Sequence, residues 1–310
     1  MDIPIVRPNA LKSGDAIAIV APAGPMDQLA DFHRGVAALE RMGFQARYDD
    51  RVFRATGYLA GEDEGRATAL MEAFEDIEIK AIVSLRGGYG SSRIIPLLDR
   101  DRLRPHCKIF MGFSDLTTLH LYFRRHFGWM TFHGPMASSP SLGSPGPDEA
   151  AHLAALLTDP AYRPVFSFPQ LQALSPGSAV GELAGGCLSL ITSSLGTPYE
   201  IQTEGKVLFL EDLGEPPYRI DRMLTQLLLA GKLDRLAGVL LGTFRDCDPG
   251  KPGVPVEHVF RDLLERLKVP VIAGFPSGHG PENWALPLGA RVLLDASQLR
   301  ITFLDSAVSG

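Results

Sequence analysis

A serine, two adjacent carboxylates, a histidine and a glycine-rich turn each follow an apolar run in this 310-residue chain. Ser114 and Asp115 follow "KIFMGF". Glu211 and Asp212 close "KVLFLED". His279 stands in "GFPSGHGPENW", and Arg86-Gly87-Gly88-Tyr89-Gly90 follows "AIVSL". Acyl-transfer hydrolysis needs this set: a nucleophile, a general base, an acid that orients the base, and backbone N–H donors for an oxyanion.

Each member has a plainer reading. Ser114 before a helical pattern is also a helix cap that satisfies orphan N–H groups. As a nucleophile it would sit in the positive potential of a helix N-terminus, where the Asp115 N–H can face an oxyanion. The G-x-S-x-G elbow is absent, because Leu116 stands where its second glycine would be. His279 lies in a Gly/Pro-rich loop and suits a base that titrates near neutrality, or is simply a loop histidine. His133 in "FHGP" also follows a strand and is its rival. Glu211 and Asp212 point to opposite faces of a strand, so only one can orient a histidine. Both also read as partners for Arg219 or Arg222. "RGGYGSSR" is neither G-x-G-x-x-G nor a Walker loop. Its N–H groups suit an oxyanion or a substrate carboxylate.

These residues need elements to hold them. "DAIAIVAPAG" reads as a buried strand entering a loop. A helix with Phe32, Val36, Leu39 and Met42 on one face follows and stops at Gly43. "FQARYD", "KAIVSL", "KIFMGF" and "WMTFHGP" read as strands, alternating with helices over Glu64–Phe74, "SRIIPLLD" and "LTTLHLYFRRHFG". That alternation predicts an α/β fold whose N-terminal domain is a doubly wound parallel sheet over residues 1–137. In such sheets ligands sit beyond the carboxyl ends of the strands. Pro, Ser and Gly crowd residues 138–178, which read as an interdomain linker with one short helix over Glu149–Leu157. Residues 179–310 form a smaller C-terminal α/β domain. Its strands are "KVLFLED", "LAGVLLGTF" and "VPVIAGF". Its first helix turns Ile220, Met223, Leu224, Leu227 and Leu228 inward, and its tail is a hairpin.

Apolar residues are 45% and charged residues 21% of the chain, as in a soluble globular protein. A formal charge of −6 with scattered Lys and Arg argues against nucleic acid as a partner. Cys107, Cys187 and Cys247 fit neither a disulfide framework nor a zinc site. No cluster has metal-ligand spacing, and no cofactor is expected. The stretch from Met1 to Gly24 has acidic residues before a short apolar run, unlike a signal peptide. No stretch approaches the roughly 18 apolar residues of a membrane span. A cytoplasmic setting is expected.

Several segments together resemble the LD-carboxypeptidases, serine peptidases of murein recycling whose relatives include microcin C immunity peptidases. They are "APAGP", "SLRGGYGSSRIIPLLD", "GFSDLTTLH", "FHGPM", "LFLEDLGEPPYRIDRMLTQL", "LGTFRDCD" and "VIAGFPSGHGPENWALPLG". The resemblance implies a Ser-His-Glu triad with Ser114 as nucleophile, His279 as base and Glu211 as orienting acid. It implies oxyanion donors at the backbone of Gly88 and Asp115, a site between two domains, and a homodimer. The implied reaction releases terminal D-alanine from L-lysine or diaminopimelate in a murein tetrapeptide. Arg86, Arg219 and Arg222 are the candidate cations that an exopeptidase needs for the terminal carboxylate, and Tyr89 is a further candidate substrate contact. Cleavage of an aminoacyl-nucleotide amide, or non-enzymatic binding of small anions, are the alternatives. Two positions depart from the family pattern. "GGCLSL" has Cys187 where Gly-Gly-Asn-Leu is common, and Phe113 replaces a common tyrosine.

Overall fold

The computed structural model describes residues 3–248, 250 and 253–310. Met1 and Asp2, where the N-terminal reading begins, lie outside the described residues. Strands Ala16–Val20 (β1), Gln45–Arg47 (β2), Ile79–Ser84 (β3), Ile109–Gly112 (β4) and Thr131–His133 (β5) come first. Val165–Phe166 (β6), Gln172–Ser175 (β7), Ser178–Cys187 (β8), Lys206–Leu213 (β9), Gly238–Arg245 (β10) and Val271–Ala273 (β11) follow. Leu286–Leu288 (β12), Arg291–Asp295 (β13) and Arg300–Phe303 (β14) close the chain. The helices are Leu29–Arg41 (α1), Asp63–Glu75 (α2), Ser91–Ile94 (α3), Arg100–Leu103 (α4), Thr117–Phe127 (α5), Pro140–Gly143 (α6), Pro147–Thr158 (α7), Leu188–Ser193 (α8), Pro217–Leu229 (α9) and Val256–Leu264 (α10).

Two compact units result. The first holds the chain up to Tyr162 with Pro281–Pro287 and Ser306–Gly310. Its sheet runs β12-β5-β4-β3-β1-β2, and every pairing from β5 to β2 is parallel. All five residues of β1 and all but one of β3 are buried, as central parallel strands must be when both faces are covered. The chain winds outward from β1 to β2, then crosses to β3 on the other side and continues to β4 and β5. The strand order therefore reverses between β1 and β3. The loops after these strands, Ala21–Gly24 and Arg86–Gly90, flank the crevice where doubly wound sheets bind ligands.

The second unit comprises Arg163–Gly280 and Leu288–Asp305. Its sheet runs β6-β14-β13-β8-β9-β10-β11-β7. The centre, β8-β9-β10-β11, is parallel, and β13–β14 is the antiparallel hairpin that the tail pattern predicts. Glu211 lies at the end of β9, and His279 lies beyond β11.

Three expectations differ from the structure. Residues 138–178 are not a bare connection. They hold α6 and α7 of the first unit and the edge strands β6 and β7 of the second. Two of their prolines mark helix starts, since Pro140 and Pro147 open α6 and α7. The glycine-rich β8 escapes a search for apolar runs because it is held by pairing on both sides. On α9 the buried stripe is Ile220, Leu224 and Leu227, while Leu228 is exposed and Met223 half-buried. At 100° per residue those two flank the stripe on either side.

Two buried histidines support the first unit. His120 on α5 donates from Nε2 to the carbonyl of Gly112, the last residue of β4, at 2.9 Å. His152 on α7 does the same to Ala285 at 2.8 Å. Burial pushes both imidazoles down to about 4. The unfolded chain, with histidines near 6.5, therefore binds more protons than the folded one between about pH 4 and 6.5. Stability is full above that window and falls as pH drops through it, by on the order of 3 kcal/mol per histidine. Urea midpoints measured from pH 7 to 4 are expected to decline accordingly. His120→Gln, which keeps a donor but cannot titrate, should flatten that slope; an unchanged slope would rule the histidine out as its source. Among the described residues, no helix is long and apolar enough to cross a membrane.

Candidate active site

Ser114 opens the turn Ser114–Leu116 that joins β4 to α5. The cap position of that turn is Phe113, and no side chain caps it, so Ser114 is not the helix cap. Its φ is 61°, in the left-handed region, where a side-chain-bearing residue costs about 1–2 kcal/mol. A strand enters this turn and a helix leaves it, and the strained residue between them is a half-exposed serine. Gly112 makes the sharp exit possible, since a Cβ there would stand 3.0 Å from Leu116 Cγ and 3.2 Å from Ser84 Oγ.

The glycine turn packs directly against this serine. A Cβ on Gly87 would meet Ser114 Cβ at 2.8 Å and Oγ at 2.9 Å. Gly88 has φ 96°, which leaves its N–H in a conformation that glycine adopts without strain. The Gly87 carbonyl accepts from Gly24 N at 2.9 Å, tying the turn to the loop after β1. Asp115 is buried. Its carboxylate accepts from Ser91 N at 2.8 Å, and its carbonyl accepts from the Ser91 hydroxyl at 2.7 Å. The Asp115 side chain thus braces the loop after β3 and is spent on that contact. The first unit brings Ser114, Asp115, Gly88, Arg86 and Tyr89 into one neighbourhood.

In the second unit, His279 Nδ1 lies 2.7 Å from Glu211 Oε2. Glu211 is fully buried, while the histidine side chain keeps 13% exposure. The histidine is thus reachable and its partner is not. Gly278 permits the approach, since a Cβ there would stand 2.5 Å from Glu211 Oε2, and its φ of 116° is open to glycine. The segment is anchored to β10 by Thr243 N donating to Ser277 O at 2.9 Å. Burial raises the Glu211 carboxyl, while the His279 imidazole pulls it down. Burial lowers His279, and the hydrogen bond and charge of Glu211 more than offset this, leaving it raised. The histidine holds the proton of this pair, because a 2.7 Å contact with a carboxylate favours the protonated imidazole. With Glu211 ionised, Nδ1 carries hydrogen and donates, and Nε2 is left as the basic nitrogen.

Strand alternation separates the acid pair as expected. Asp212 accepts from Ser189 N at 2.8 Å and from Leu213 N at 2.9 Å, away from His279. Cys187, at the position of the common asparagine, sits 3.5 Å from Asp212 Oδ1, and burial keeps its thiol protonated. His133 is fully buried against Phe113, with ring centroids 5.8 Å apart.

The candidate cations have local partners. Arg86 donates to Pro25 O at 3.0 Å and pairs with Asp27. Arg219 pairs with Glu215 at 3.5 Å, and Arg222 lies over the Tyr218 ring. Tyr89 is exposed and packs on Tyr58. Arg245 was not among the sequence candidates. It ends β10 and donates to the His279 carbonyl at 3.3 Å. Its signal was "GTFRD", a strand end beside the one that carries Glu211. Arg66 was also missed, because a charged residue in the first turns of a helix reads as solvated.

Solved proteins share this fold. The apo structure of the microcin C7 self-immunity protein MccF gives a TM-score of 0.89 at 24% identity, over 98% of this chain and all of that one. A muramoyltetrapeptide carboxypeptidase from Oxalobacter formigenes gives 0.81 at 30% identity, over 93% of this chain and 97% of that one. In sequence, the "Probable murein peptide carboxypeptidase" of Bacillus subtilis is 39% identical over 306 residues, 98% of this chain and 95% of its own. Fold and relatives together define a two-domain α/β peptidase. Residues 17–134 match the LD-carboxypeptidase N-terminal domain and residues 180–294 the C-terminal domain. The chain belongs to the LD-carboxypeptidase family.

Proposed function

We propose that this peptidase removes D-alanine from murein tetrapeptide, with Ser114, His279 and Glu211 as its triad. The left-handed backbone of Ser114 at the end of β4 carries the reading, since a strained non-glycine residue on a strand-to-helix turn has no local structural use. The Glu211–His279 contact supports it. In this reading Ser114 Oγ attacks the carbonyl of the L-centre, and His279 Nε2 takes the hydroxyl proton. The N–H groups of Gly88 and Asp115 receive the oxyanion. The imidazolium then protonates the leaving amine of D-alanine, and water hydrolyses the acyl-enzyme by the same route in reverse. The setting is recycling of cell-wall peptides in the cytoplasm, by a homodimer.

An assay of D-alanine release tests it. Murein tetrapeptides with L-lysine or diaminopimelate at the third position are expected to yield free D-alanine. An aminoacyl sulfamoyl nucleotide is expected to survive. Trp129 is fully buried, and Trp284 packs on His152 and donates its indole N–H to Glu282. Cleavage of the nucleotide with no D-alanine from either tetrapeptide would replace this reading with the immunity-type one.

A further inference from the structure

Arg66 lies on α2 with only 3% of its surface exposed. Its Nη1 donates to the carbonyl of Pro22, in the loop after β1, and to that of Gly90, in the loop after β3, the latter at 2.9 Å. Its Nη2 donates to Asp63. These two loops flank the point where the strand order reverses. From Gly90 the connection continues through Ser91, whose N–H and hydroxyl both bond Asp115, the residue after the proposed nucleophile. One guanidinium therefore ties together the loop after β1 and the glycine turn, and through Ser91 reaches the Ser114 turn.

The approach is written into the glycine. A Cβ on Gly90 would stand 2.8 Å from Arg66 Nη1 and 2.6 Å from Leu59 Cδ2, and the φ of Gly90 is 129°. Only glycine lets a buried cation come this close to the backbone. Lysine is a poor substitute, because three acceptors in fixed directions match a planar fork and not a single ammonium.

We propose that Arg66 is a positioning residue for the reaction: by clamping Pro22 and Gly90 it fixes the glycine turn, and with it the Gly88 and Asp115 N–H groups that receive the oxyanion. This rests on the Ser114 reading above. The clamp need not be a folding requirement. Asp63 keeps Arg93, with Nε at 2.9 and 3.0 Å and Nη2 at 2.7 Å, so removing Arg66 strands no carboxylate.

The test is steady-state D-alanine release by Arg66→Met, Arg66→Lys, Gly90→Ala and the Arg66→Met/Gly90→Ala double variant. Arg66→Met and Gly90→Ala are each expected to lose kcat by on the order of 10²-fold, the effect of losing an oxyanion donor, with KM within about twofold. Arg66→Lys should recover only part of it. The rate of Ser114 labelling by a fluorophosphonate should fall in step, because that probe needs the oxyanion site but none of the peptide contacts. Since both changes break one clamp, the double variant should be no worse than the single ones. Gly90→Ala attacks the clamp from the backbone side, so the inference stays testable if Arg66→Met folds poorly. A rise in KM at unchanged kcat, or losses that multiply in the double variant, would overturn the clamp. Active Arg66 variants beside an inactive Ser114→Ala would overturn this inference alone. An active Ser114→Ala would instead overturn the reading on which it rests.

Discussion

Ser114→Ala is expected to lower the turnover of murein tetrapeptide by a factor on the order of 10⁴ or more, with KM little changed. The reason lies in what the substitution leaves behind. The glycine turn, the Asp115 N–H and the Glu211–His279 pair are all retained, so binding survives while no oxygen remains to attack. Alanine keeps the Cβ, and so keeps the strain of φ 61° at this position. Glycine does not. Ser114→Gly is therefore expected to be equally inactive yet more stable, by about 1 kcal/mol, since it releases the left-handed penalty. Urea denaturation beside the D-alanine assay reads both quantities. Stability gained where activity is lost marks strain held for function. Near-normal turnover by the alanine variant would remove Ser114 from the reaction.

That strain explains why the sequence alone left Ser114 open. Periodicity places β4 and α5 correctly, because residues 109–113 are buried and Leu119, Phe123 and Phe127 fall on the inner side of the helix. It carries no information about the backbone angle of the residue between them. The second unit behaves similarly. Alternation along β9 announces that Glu211 and Asp212 diverge, but which of them meets His279 depends on β11 and on the φ of Gly278. The motif resemblance chose Glu211, and the hydrogen bonds fall on that side. What stayed illegible is held by contacts remote in sequence. Residues 138–178 look like a linker because their prolines and glycines punctuate helix starts and edge strands. Pro281–Pro287 returns to the first unit, which no contiguous boundary can express. Arg66 reads as one charge among several at the start of α2. Only the fold brings the carbonyls of Pro22 and Gly90 to its fork.

Glu211→Gln is expected to cost almost as much as loss of the serine, on the order of 10³–10⁴ in kcat, and also to move the pH profile. A glutamine amide can donate to Nδ1, which makes that nitrogen the acceptor and places the ring hydrogen on Nε2. The nitrogen that must take the serine proton is then already protonated. The pH shift follows from the charges around the ring. His279 works as a base only when neutral, so activity rises with pH through its pKa. Burial lowers that pKa, and the Glu211 carboxylate raises it above the ordinary imidazole value. In the wild-type protein the acid limb of kcat/KM should therefore have its midpoint above about 6.5. Without the carboxylate, burial is left unopposed, and the limb should move to lower pH even as the maximum rate collapses. Rate profiles of both proteins, measured across the acid limb, decide the matter. A limb that stays in place, or moves upward, would mean that the group titrating in the profile is not the histidine held by Glu211.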